Sequence, residues 1–540
     1  MKTKIITLII IIVSSLAWIN CTRLHDKSYS LIISEKFEPT REDLASIVGA
    51  TYVNWRQGLL FWNSILRLME VSSDQSVIPG RPNGWVDGGV HRVIFEHQWS
   101  TEHEVINNCW DHLYAGVNNC NRVLYQIESG SIPVTEGKEE IIAELKLLRA
   151  SYYYMLCDIY GNVPIMTRYD VEEGYVPEQS TRAQVFDFII TEITENMPLL
   201  SAENGGIMYG RFNRWSAWAL LAKMYINAEV YTGTPRWREC VQACDEVINS
   251  NLFALDANQR DVFATNNENA REIIFALPFD DQYVTDWNAF DIHMQTLQPA
   301  SQATYKLPSS PWGGICAVPQ FIDTFDPDDS RLAENWIQGD QFSADGDLLY
   351  CTMGSYSGRP LSFINAVPSV AESEEIHGFR HGKFEIALGA RVQLSNDWPL
   401  LRYADVLMMK AEALLRDGSG AEAAAIVTTV RERNFKSNPS KATVTAAQLA
   451  AGSVYDYGRR DNLVPHTFEG GADVLYGRFL DELGWEFNQE GRRRQDMIRF
   501  GVYTTKSWFS HAPNGSHRAI LPIPRSQLEK NPNLHQNPGY

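Results

Sequence analysis

A loop near the start of the chain carries a tryptophan among residues that form turns. The segment "IPGRPNGWVDGG" (78–89) surrounds Trp85 with two prolines, four glycines, an Asn and an Asp, which are residues typical of turns rather than of cores. An indole face on such a loop could pack against the C–H face of a pyranose ring. The hydroxyl groups of the sugar could then hydrogen-bond to neighbouring polar side chains, for which the candidates are Arg81, Asn83 and Asp87.

Three further aromatic residues lie in turn-rich sequence. Tyr283 and Trp287 belong to "DDQYVTDWNAFDIHMQTLQPAS", and Trp312 belongs to "LPSSPWGGICAVPQF". Rigid rings of this kind offer a large contact area at a small entropic cost. We therefore predict a carbohydrate-binding surface to which Trp85, Trp312, Tyr283 and Trp287 contribute. The alternative is that each ring fixes its own loop to the rest of the fold.

Patterns that would indicate catalysis or metal binding are weaker. "HEVIN" has Asn107 where the H-E-x-x-H zinc motif requires a second histidine, and "DPDDS" (326–330) lacks the Gly and the terminal Glu of a calcium loop. Glu482, Glu486 and Glu490 could contain the two carboxylates of a glycosidase. However, the arginines 492–494 would lower the pKa of these carboxyl groups, which is the wrong direction for a proton donor. Because several of these acids and arginines are three or four residues apart, we expect them to lie on adjoining turns of one helix and to form a structural ion-pair network. We predict no catalytic residue, no metal and no cofactor.

The composition limits the classes of partner. The 540 residues are 44% hydrophobic and 21% charged, with a formal net charge of −19 and no long block of Lys or Arg. This balance argues against nucleic acid as a partner and against electrostatic docking on anionic lipid. An uncharged sugar is not repelled by an acidic surface. Because a single core seldom exceeds about 250–300 residues, we expect two lobes or an extended helical stack.

The N-terminal residues predict export. Two lysines precede an apolar run at 5–13, and Cys21 follows it, so residues 1–20 are predicted to be a signal peptide. The run is shorter than the about 20 residues that span a membrane. Cys21 is predicted to be the acylated first residue of a lipoprotein, although Trp18 and Asn20 differ from the residues usual before such a cysteine.

The other cysteines do not have the spacing of a disulfide framework. Cys109 and Cys120 are predicted to share one helix, where 11 residues separate them by roughly 16 Å. A disulfide tolerates less than about 7 Å between Cα atoms. Buried free thiols are therefore the better interpretation.

Apolar residues at helical spacing dominate the sequence and predict the elements that position these loops. The segment 103–127 repeats apolar residues three and four apart, and "AELKLLRASYYYMLCDIYGNVP" does the same up to Gly161. "WALLAKMYINA" matches the first helix of a tetratricopeptide unit at Trp218, Ala222 and Tyr225. After it, Thr234 is predicted to cap the next helix and the following proline to open it.

A second helical hairpin is predicted in "LLRYADVLMMKAEALLRDGSGAEAAAIVTTVRERN", with "DGSG" (417–420) as its turn. Long turn-rich segments interrupt the helices at 71–100, 254–320 and 336–398, and loops of this length usually carry a function. The predicted fold is therefore mainly α, a helical frame with tetratricopeptide-like helix pairs and long elaborated binding loops.

Several of these segments together resemble the SusD/RagB family of nutrient-binding outer-membrane lipoproteins. The two most specific blocks lie near the C-terminus: "LGWEFNQEGRRRQDMIRFG" and the closing "LPIPRSQLEKNPNLHQNPGY". The first has the family's charged and glycine positions at Glu486, Glu490, Gly491, Arg493, Asp496, Arg499 and Gly501, and the second has Ile523, Pro524, Asn531, Pro532, Leu534, Gln536, Asn537, Pro538, Gly539 and Tyr540.

This resemblance implies a function as well as a fold. It implies a lipid-anchored, surface-exposed protein of the outer membrane that captures oligo- or polysaccharide, forms a lid on a TonB-dependent SusC-like transporter and has no enzymatic activity. Trp85 and Trp312 lie in loops comparable to those that carry the aromatic arc of the starch-binding members, with Tyr283 and Trp287 as companions. The domain would cover 21–540, with a helical part at about 21–255 and a loop-rich part at about 256–540.

Two other functions remain open on the sequence. One is an exported (α/α)-barrel glycosidase or lyase, because such enzymes are also helical and rich in tryptophan. The other is a helical-repeat scaffold whose ligand is a protein. A peptide cargo is a further alternative to a glycan, and the sequence does not identify a particular sugar or linkage.

Overall fold

A computed structural model describes residues 39–82, 85, 87–284 and 290–540. The predicted signal peptide, Cys21, Asn83 and Trp287 lie outside the described residues. Among the residues that are described, no helix is both long enough and apolar enough to cross a bilayer.

In the described part of the chain, nine helices of eleven or more residues form the frame. Local sequence explains where they begin: Thr40 and Asp43 form a capping box in which the Asp43 amide donates to the threonine hydroxyl (3.1 Å) and the Thr40 amide donates to the carboxylate (3.0 Å). The predicted helix at 103–127 is confirmed, with His103 as its N-cap. The bounds are α1 Arg41–Leu60, α2 Glu104–Glu128, α3 Lys138–Ile159, α4 Arg182–Asn196, α5 Arg214–Ile226, α6 Trp237–Asn249, α7 Tyr403–Arg416, α8 Gly420–Glu432 and α9 Gly477–Phe487.

Helices that follow each other in the chain pack side by side. α1 packs on α2, α2 on α3 and α3 on α4, and a second run joins α5, α6, α7 and α8. A small residue permits the closest approach: a Cβ atom on Gly116 of α2 would lie 2.5 Å from the ring of Tyr152 of α3. This side-by-side arrangement confirms the mainly α fold with tetratricopeptide-like helix pairs.

The predicted tetratricopeptide helix is α5, and it packs on α6 as the motif requires. The thiol of Cys240 on α6 lies 3.5 Å from the carbonyl oxygen of Ala222, whose small side chain is fully buried. The predicted start of the next helix is wrong. A short helix, Ala228–Thr232, follows α5, and α6 begins at Trp237 with Arg236 as its N-cap, so Thr234 caps nothing.

In the described residues, the turn-rich segments contain short helices and strands of two to five residues rather than a large sheet. The longest pairing is antiparallel, between Ile273–Leu277 and Trp398–Arg402. Other paired strands are Ser76–Val77 with Cys316–Ala317, Val163–Pro164 with Gln179–Ser180, Trp336–Ile337 with Arg380–His381, Gly339–Asp340 with Ser362–Phe363, and Gly458–Asp461 with both Val464–Pro465 and Trp508–Phe509.

Short helices complete these segments. The short α-helices are Ile65–Val71, Val90–Phe95, Ala228–Thr232, Ile292–Thr296, Gln302–Tyr305, Pro319–Ile322, Ser330–Glu334, Ala446–Leu449, Arg493–Arg499 and Arg525–Leu528. The 3-10 turns are Asp87–Gly89, Met197–Leu199, Gly206–Met208, Gln259–Phe263, Pro299–Ser301, Gly354–Tyr356, Pro439–Lys441 and Ser516–Ala519.

One hydrophobic core extends from Leu44 to Leu534 and joins the helical and loop-rich parts. All seven cysteines in the described part of the chain are buried free thiols, as the spacing predicts. Burial raises the pKa of the Cys109 thiol to about 12, so this group stays protonated and unreactive at neutral pH.

Candidate functional site

Two tryptophans form a partly exposed aromatic pair at the surface. The rings of Trp62 and Trp85 lie 5.5 Å apart between centroids at an angle of 37°, and both side chains are partly exposed. The buried His91 packs against both, with its ring 5.5 Å from Trp62 and 5.6 Å from Trp85. We call Trp62 and Trp85 the indole pair.

The end of α1 positions Trp62. α1 ends at Leu60, and Asn63 takes a left-handed conformation (φ 53°) that turns the chain into the helix Ile65–Val71. The side-chain amide of Asn108, on α2, donates to the backbone carbonyls of Trp62 (3.3 Å) and Asn63 (3.1 Å). Trp62 is therefore held at a fixed corner between helices, and its ring reaches the surface.

A glycine positions Trp85. A Cβ atom on Gly314 would lie 1.7 Å from ring atoms Cε3 and Cζ3 of Trp85, so the indole packs directly against the backbone at 314. The loop that contains this glycine is itself fixed, because the Trp312 amide donates to the Met294 carbonyl (2.8 Å) and the Ile315 amide donates to the Gln295 carbonyl (3.1 Å). Trp85 is thus supported by one loop and by Trp62, and it keeps part of its surface open.

Buried polar groups lie beneath Trp62. The guanidinium of Arg67 lies 5.3 Å from the Trp62 ring centroid and donates to the side chain of Gln295, whose amide donates to Asp291. Burial raises the pKa of Asp291 to about 6, although the hydrogen bond from Gln295 and the charge of Arg67 lower it. A cation under an indole is favourable because the ring face is negative.

Arg81 occupies a different position from the one predicted. Its side chain is buried, and it donates to the backbone carbonyls of Gly314 (3.1 Å), Glu374 (2.6 Å) and His377 (3.0 Å). Its donors therefore tie together the loops behind Trp85. Because burial of a guanidinium is costly unless its donors are satisfied, the observed role of Arg81 is to hold the loop.

The other predicted site residues are placed as follows. Trp312 is partly exposed and packs against Met294, Leu297 and Leu307. It lies two residues before Gly314, the glycine that supports Trp85. Tyr283 is 86% exposed on a turn in which its amide donates to Asp280 (3.1 Å). The backbone of Asp87 lies in the 3-10 turn Asp87–Gly89.

Trp62 was not predicted from the sequence. Its signal is modest: two aromatic residues, "FW" at 61–62, follow the last apolar residues of a helix and precede "NS". Polar side chains contact the residues on either side of it. The exposed Glu104 accepts from the side-chain amide of Asn63 (2.6 Å), and the ring of His112 lies 5.0 Å from that of Phe61.

The acidic and basic residues near the C-terminus form a buried structural network. Burial would raise the pKa of Glu486, but the charges of Arg433, Arg402 and Arg331 lower it well below its ordinary range. Arg402 donates to this carboxylate at 2.9 Å and Arg331 at 3.1 Å. This confirms the predicted ion-pair network.

The predicted pairing within one helix is wrong. α9 ends at Phe487, so the arginines 492–494 start a separate short helix and bind acids from distant segments. Arg492 binds Asp405, Arg493 binds Asp74 (2.7 Å) and Arg494 binds Asp158 (3.2 Å).

Lysine and arginine side chains neutralise the acids of "DPDDS". Lys441 contacts Asp326 (2.7 Å) and Asp328 (2.8 Å), and Arg331 contacts Asp329 (2.7 Å). In the part of the chain that the structure describes, no group of three or more His, Cys, Asp or Glu side chains is arranged to hold a metal ion.

The stacked helix pairs, with an indole pair displayed on the loops between them, define a SusD-like fold. Residues 66–226 match the family described as "Starch-binding associating with outer membrane", and residues 388–518 match the SusD family. The chain belongs to the SusD/RagB family.

Relatives support the same assignment. The starch-binding protein SusD of Bacteroides thetaiotaomicron is 25% identical over 439 residues, covering 74% of this chain and 72% of that protein. The SusD-like protein P25 of Formosa agariphila is 23% identical over 96% of both chains.

Solved structures share the fold. A SusD-like protein from Bacteroides fragilis has a TM-score of 0.70 at 18% identity, covering 93% of this chain and 97% of its own. A surface glycan-binding protein from Bacteroides thetaiotaomicron, in complex with laminarihexaose, has a TM-score of 0.68 at 19% identity and covers 92% of this chain and 100% of its own.

Proposed function

We propose that this protein is a cell-surface glycan-binding lipoprotein that captures oligo- or polysaccharide and passes it to a TonB-dependent SusC-like transporter. The observation that carries the proposal is the partly exposed indole pair, held from below by His91, Arg67 and the backbone at Gly314. The relatives and structural neighbours include a starch-binding protein and a laminarihexaose complex, which supports a glycan as the ligand class.

Binding would use the rings for contact and polar groups for orientation. The axial C–H face of a pyranose packs on one or both indoles, which removes apolar surface from water with little loss of side-chain entropy. The exposed carboxylate of Glu104, which accepts from Asn63 beside Trp62, offers an acceptor to equatorial hydroxyls. Trp312, Tyr283, Trp287, Asn83 and Asp87 extend the proposed surface.

The proposal contains no catalytic step. A glycosidase needs a protonated carboxyl as its acid, and the candidate acid Glu486 is fully buried, with its pKa lowered by three arginines. The carboxylate of Glu486 binds the arginines of the structural network. The glycosidase alternative therefore has no pair of catalytic carboxyl groups at this position.

Affinity electrophoresis tests the binding surface. The mature protein is run in native gels that contain amylopectin or laminarin, alongside Trp62→Ala, Trp85→Ala and Trp312→Ala. We expect each indole-pair substitution to weaken retention by roughly tenfold or more, as for a central interface aromatic. The matched control is Trp215→Ala, a partly exposed tryptophan on α5. Equal retention of all the variants would refute the indole pair as the site.

The membrane anchor and the transporter need separate experiments. Cells that express the full chain are grown with a radiolabelled fatty acid, and we expect label on the wild type and none on Cys21→Ala. Retained label on the variant would contradict acylation at this residue. Co-purification from outer membranes with a TonB-dependent transporter is the expected result for the partner, and recovery of the protein alone would count against it.

A further inference from the structure

A second surface carries exposed aromatic residues far from the indole pair. The connection between α3 and α4 runs from Tyr160 to Thr181 and is far longer than the roughly 2–8 residues that usually join packed helices. Antiparallel pairing of Val163–Pro164 with Gln179–Ser180 closes its base. The residues between, 165–178, form a closed surface loop, and such loops are frequently functional.

The base of this loop is rigid. The backbone carbonyl of Met166 accepts from the amide of Asn121 (3.0 Å) and the hydroxyl of Tyr153 (3.3 Å), and the carbonyl of Thr167 accepts from Arg149 (3.2 Å). All three donors belong to α2 or α3. The helical frame therefore fixes the first residues of the loop in place.

Three tyrosines are displayed around the loop. Tyr125, at the C-terminal end of α2, is 40% exposed, and Tyr169 and Tyr175 of the loop are 50% and 54% exposed. The rings of Tyr125 and Tyr169 lie 5.9 Å apart at 40°. An open cleft of about 380 Å³ lies within the loop and is lined by residues 165–168 and 171–175. We call these three side chains the tyrosine patch.

The polar groups of the patch match a sugar better than a protein. Arg168, Asp170, Glu172 and Glu173 are all exposed around the tyrosines, and Arg168 pairs with Asp170 at 3.5 Å. Protein interfaces are depleted of charged residues at their centres because these groups would have to be desolvated. A hydrated glycan instead uses carboxylates and guanidinium groups as hydrogen-bond partners for its hydroxyls, while the tyrosine faces take its C–H surface.

The two surfaces lie at opposite ends of one helix. Asn108, in the second turn of α2, holds the backbone of Trp62, and Tyr125 lies in the last turn of the same helix. Seventeen residues at 1.5 Å each place the two positions roughly 25 Å apart. A rigid helix thus fixes the separation between the indole pair and the tyrosine patch.

We propose that the tyrosine patch is a second carbohydrate-binding site, which contacts a more distant part of the same polysaccharide chain that the indole pair holds. This inference rests on the proposed function. Two weak sites on one polymer bind far more tightly than either alone, because the second contact is intramolecular. A short oligosaccharide that cannot span the two sites gains nothing from this arrangement.

The test compares polymers with hexasaccharides. The probes are amylopectin and laminarin in native gels, and maltohexaose and laminarihexaose in calorimetric titrations. We expect the variant Y125A/Y169A/Y175A to lose roughly tenfold in polysaccharide affinity, with a hexasaccharide affinity at the indole pair within twofold of wild type. Tyr350→Ala is the matched control, because Tyr350 is 51% exposed on another segment. In a Trp62→Ala/Trp85→Ala background, residual polysaccharide retention should disappear when the three tyrosines are also replaced.

Three results would overturn the inference. Polysaccharide retention that depends on Trp62 but is unchanged in the tyrosine variant would refute the second site and leave the proposed function intact. Loss of co-purification with an outer-membrane protein, with unchanged glycan retention, would assign the patch to a protein partner. No retention of the wild type in any gel, with no heat from either hexasaccharide, would count against both proposals.

Discussion

Replacing Gly314 by alanine should disrupt the indole pair without unfolding the protein. The added Cβ would lie 1.7 Å from two ring atoms of Trp85, whereas ordinary carbon contacts are about 3.5–4.0 Å. The ring must therefore move by about 2 Å. The backbone at position 314 is not in the left-handed region, so the strain is purely steric.

The free-energy cost of Gly314→Ala depends on where the indole of Trp85 can move. Overpacking a core usually costs about 1–3 kcal/mol, and the lower end applies here because Trp85 is partly exposed and can shift toward solvent. The 5.5 Å contact with Trp62 would be lost. Losing one ring contact to a sugar should cost about 1–2 kcal/mol of binding free energy, which is roughly a 5- to 30-fold increase in Kd.

Three measurements check this prediction. Titration with maltohexaose or laminarihexaose gives the change in Kd, thermal unfolding gives the change in stability, and tryptophan fluorescence reports the movement of the indole. Gly49→Ala is the control, because its Cβ on α1 would meet nothing within 4 Å and alanine favours a helix. An unchanged fluorescence spectrum would refute the steric argument. A shifted spectrum with unchanged affinity would refute the indole pair as the binding site.

Three further predictions concern stability. Burial alone would raise the pKa of Asp405, but the charges of Arg492 and Lys223 lower it to about 2. About 2 kcal/mol of stability at neutral pH should therefore be lost as the pH falls from about 4 to 2. Asp405→Asn should cost about 3–5 kcal/mol in urea unfolding at pH 7, because two cations stay buried. Burial raises the pKa of Glu70 to about 7, so this carboxyl group alone should lower stability by about 3 kcal/mol as the pH rises from about 4.5 to 7. In urea unfolding, the stability of the wild type relative to Glu70→Gln should therefore fall between pH 5 and pH 8. Ala222→Leu should cost about 1–3 kcal/mol by forcing α5 and α6 apart, as measured by thermal unfolding.

Each of these has a clear contrary result. A loss of stability between pH 4 and 2 that is as large in Asp405→Asn as in the wild type would show that the carboxylate is not linked to folding. A stability difference between the wild type and Glu70→Gln that is the same at pH 5 and pH 8 would contradict the raised pKa of Glu70. An unchanged unfolding temperature for Ala222→Leu would show that the helix pair can repack without loss.

The sequence determined the frame because helical periodicity is a local signal. The apolar stripes predicted α2 to within one residue at each end and the end of α3 to within two residues, and the tetratricopeptide pattern around Ala222 placed the α5–α6 pair. Capping was less certain: Thr234 and the following proline suggested a helix start that the chain does not use, because the start depends on where the preceding short helix ends. The charged block near the C-terminus was correctly predicted to form a structural ion-pair network, but the acids that pair with its arginines were not predicted.

Tertiary structure decided the composition of the site, because its members come from segments far apart in the chain. The tryptophan in the turn-rich loop, Trp85, was visible as a candidate, but its neighbour Trp62 follows an ordinary helix end and gave no strong signal. Arg81, which the sequence offered as a sugar ligand, is buried by loops that follow it by more than two hundred residues. Local patterns specify which residues form helices, whereas burial and ring contacts depend on how distant loops close over each other.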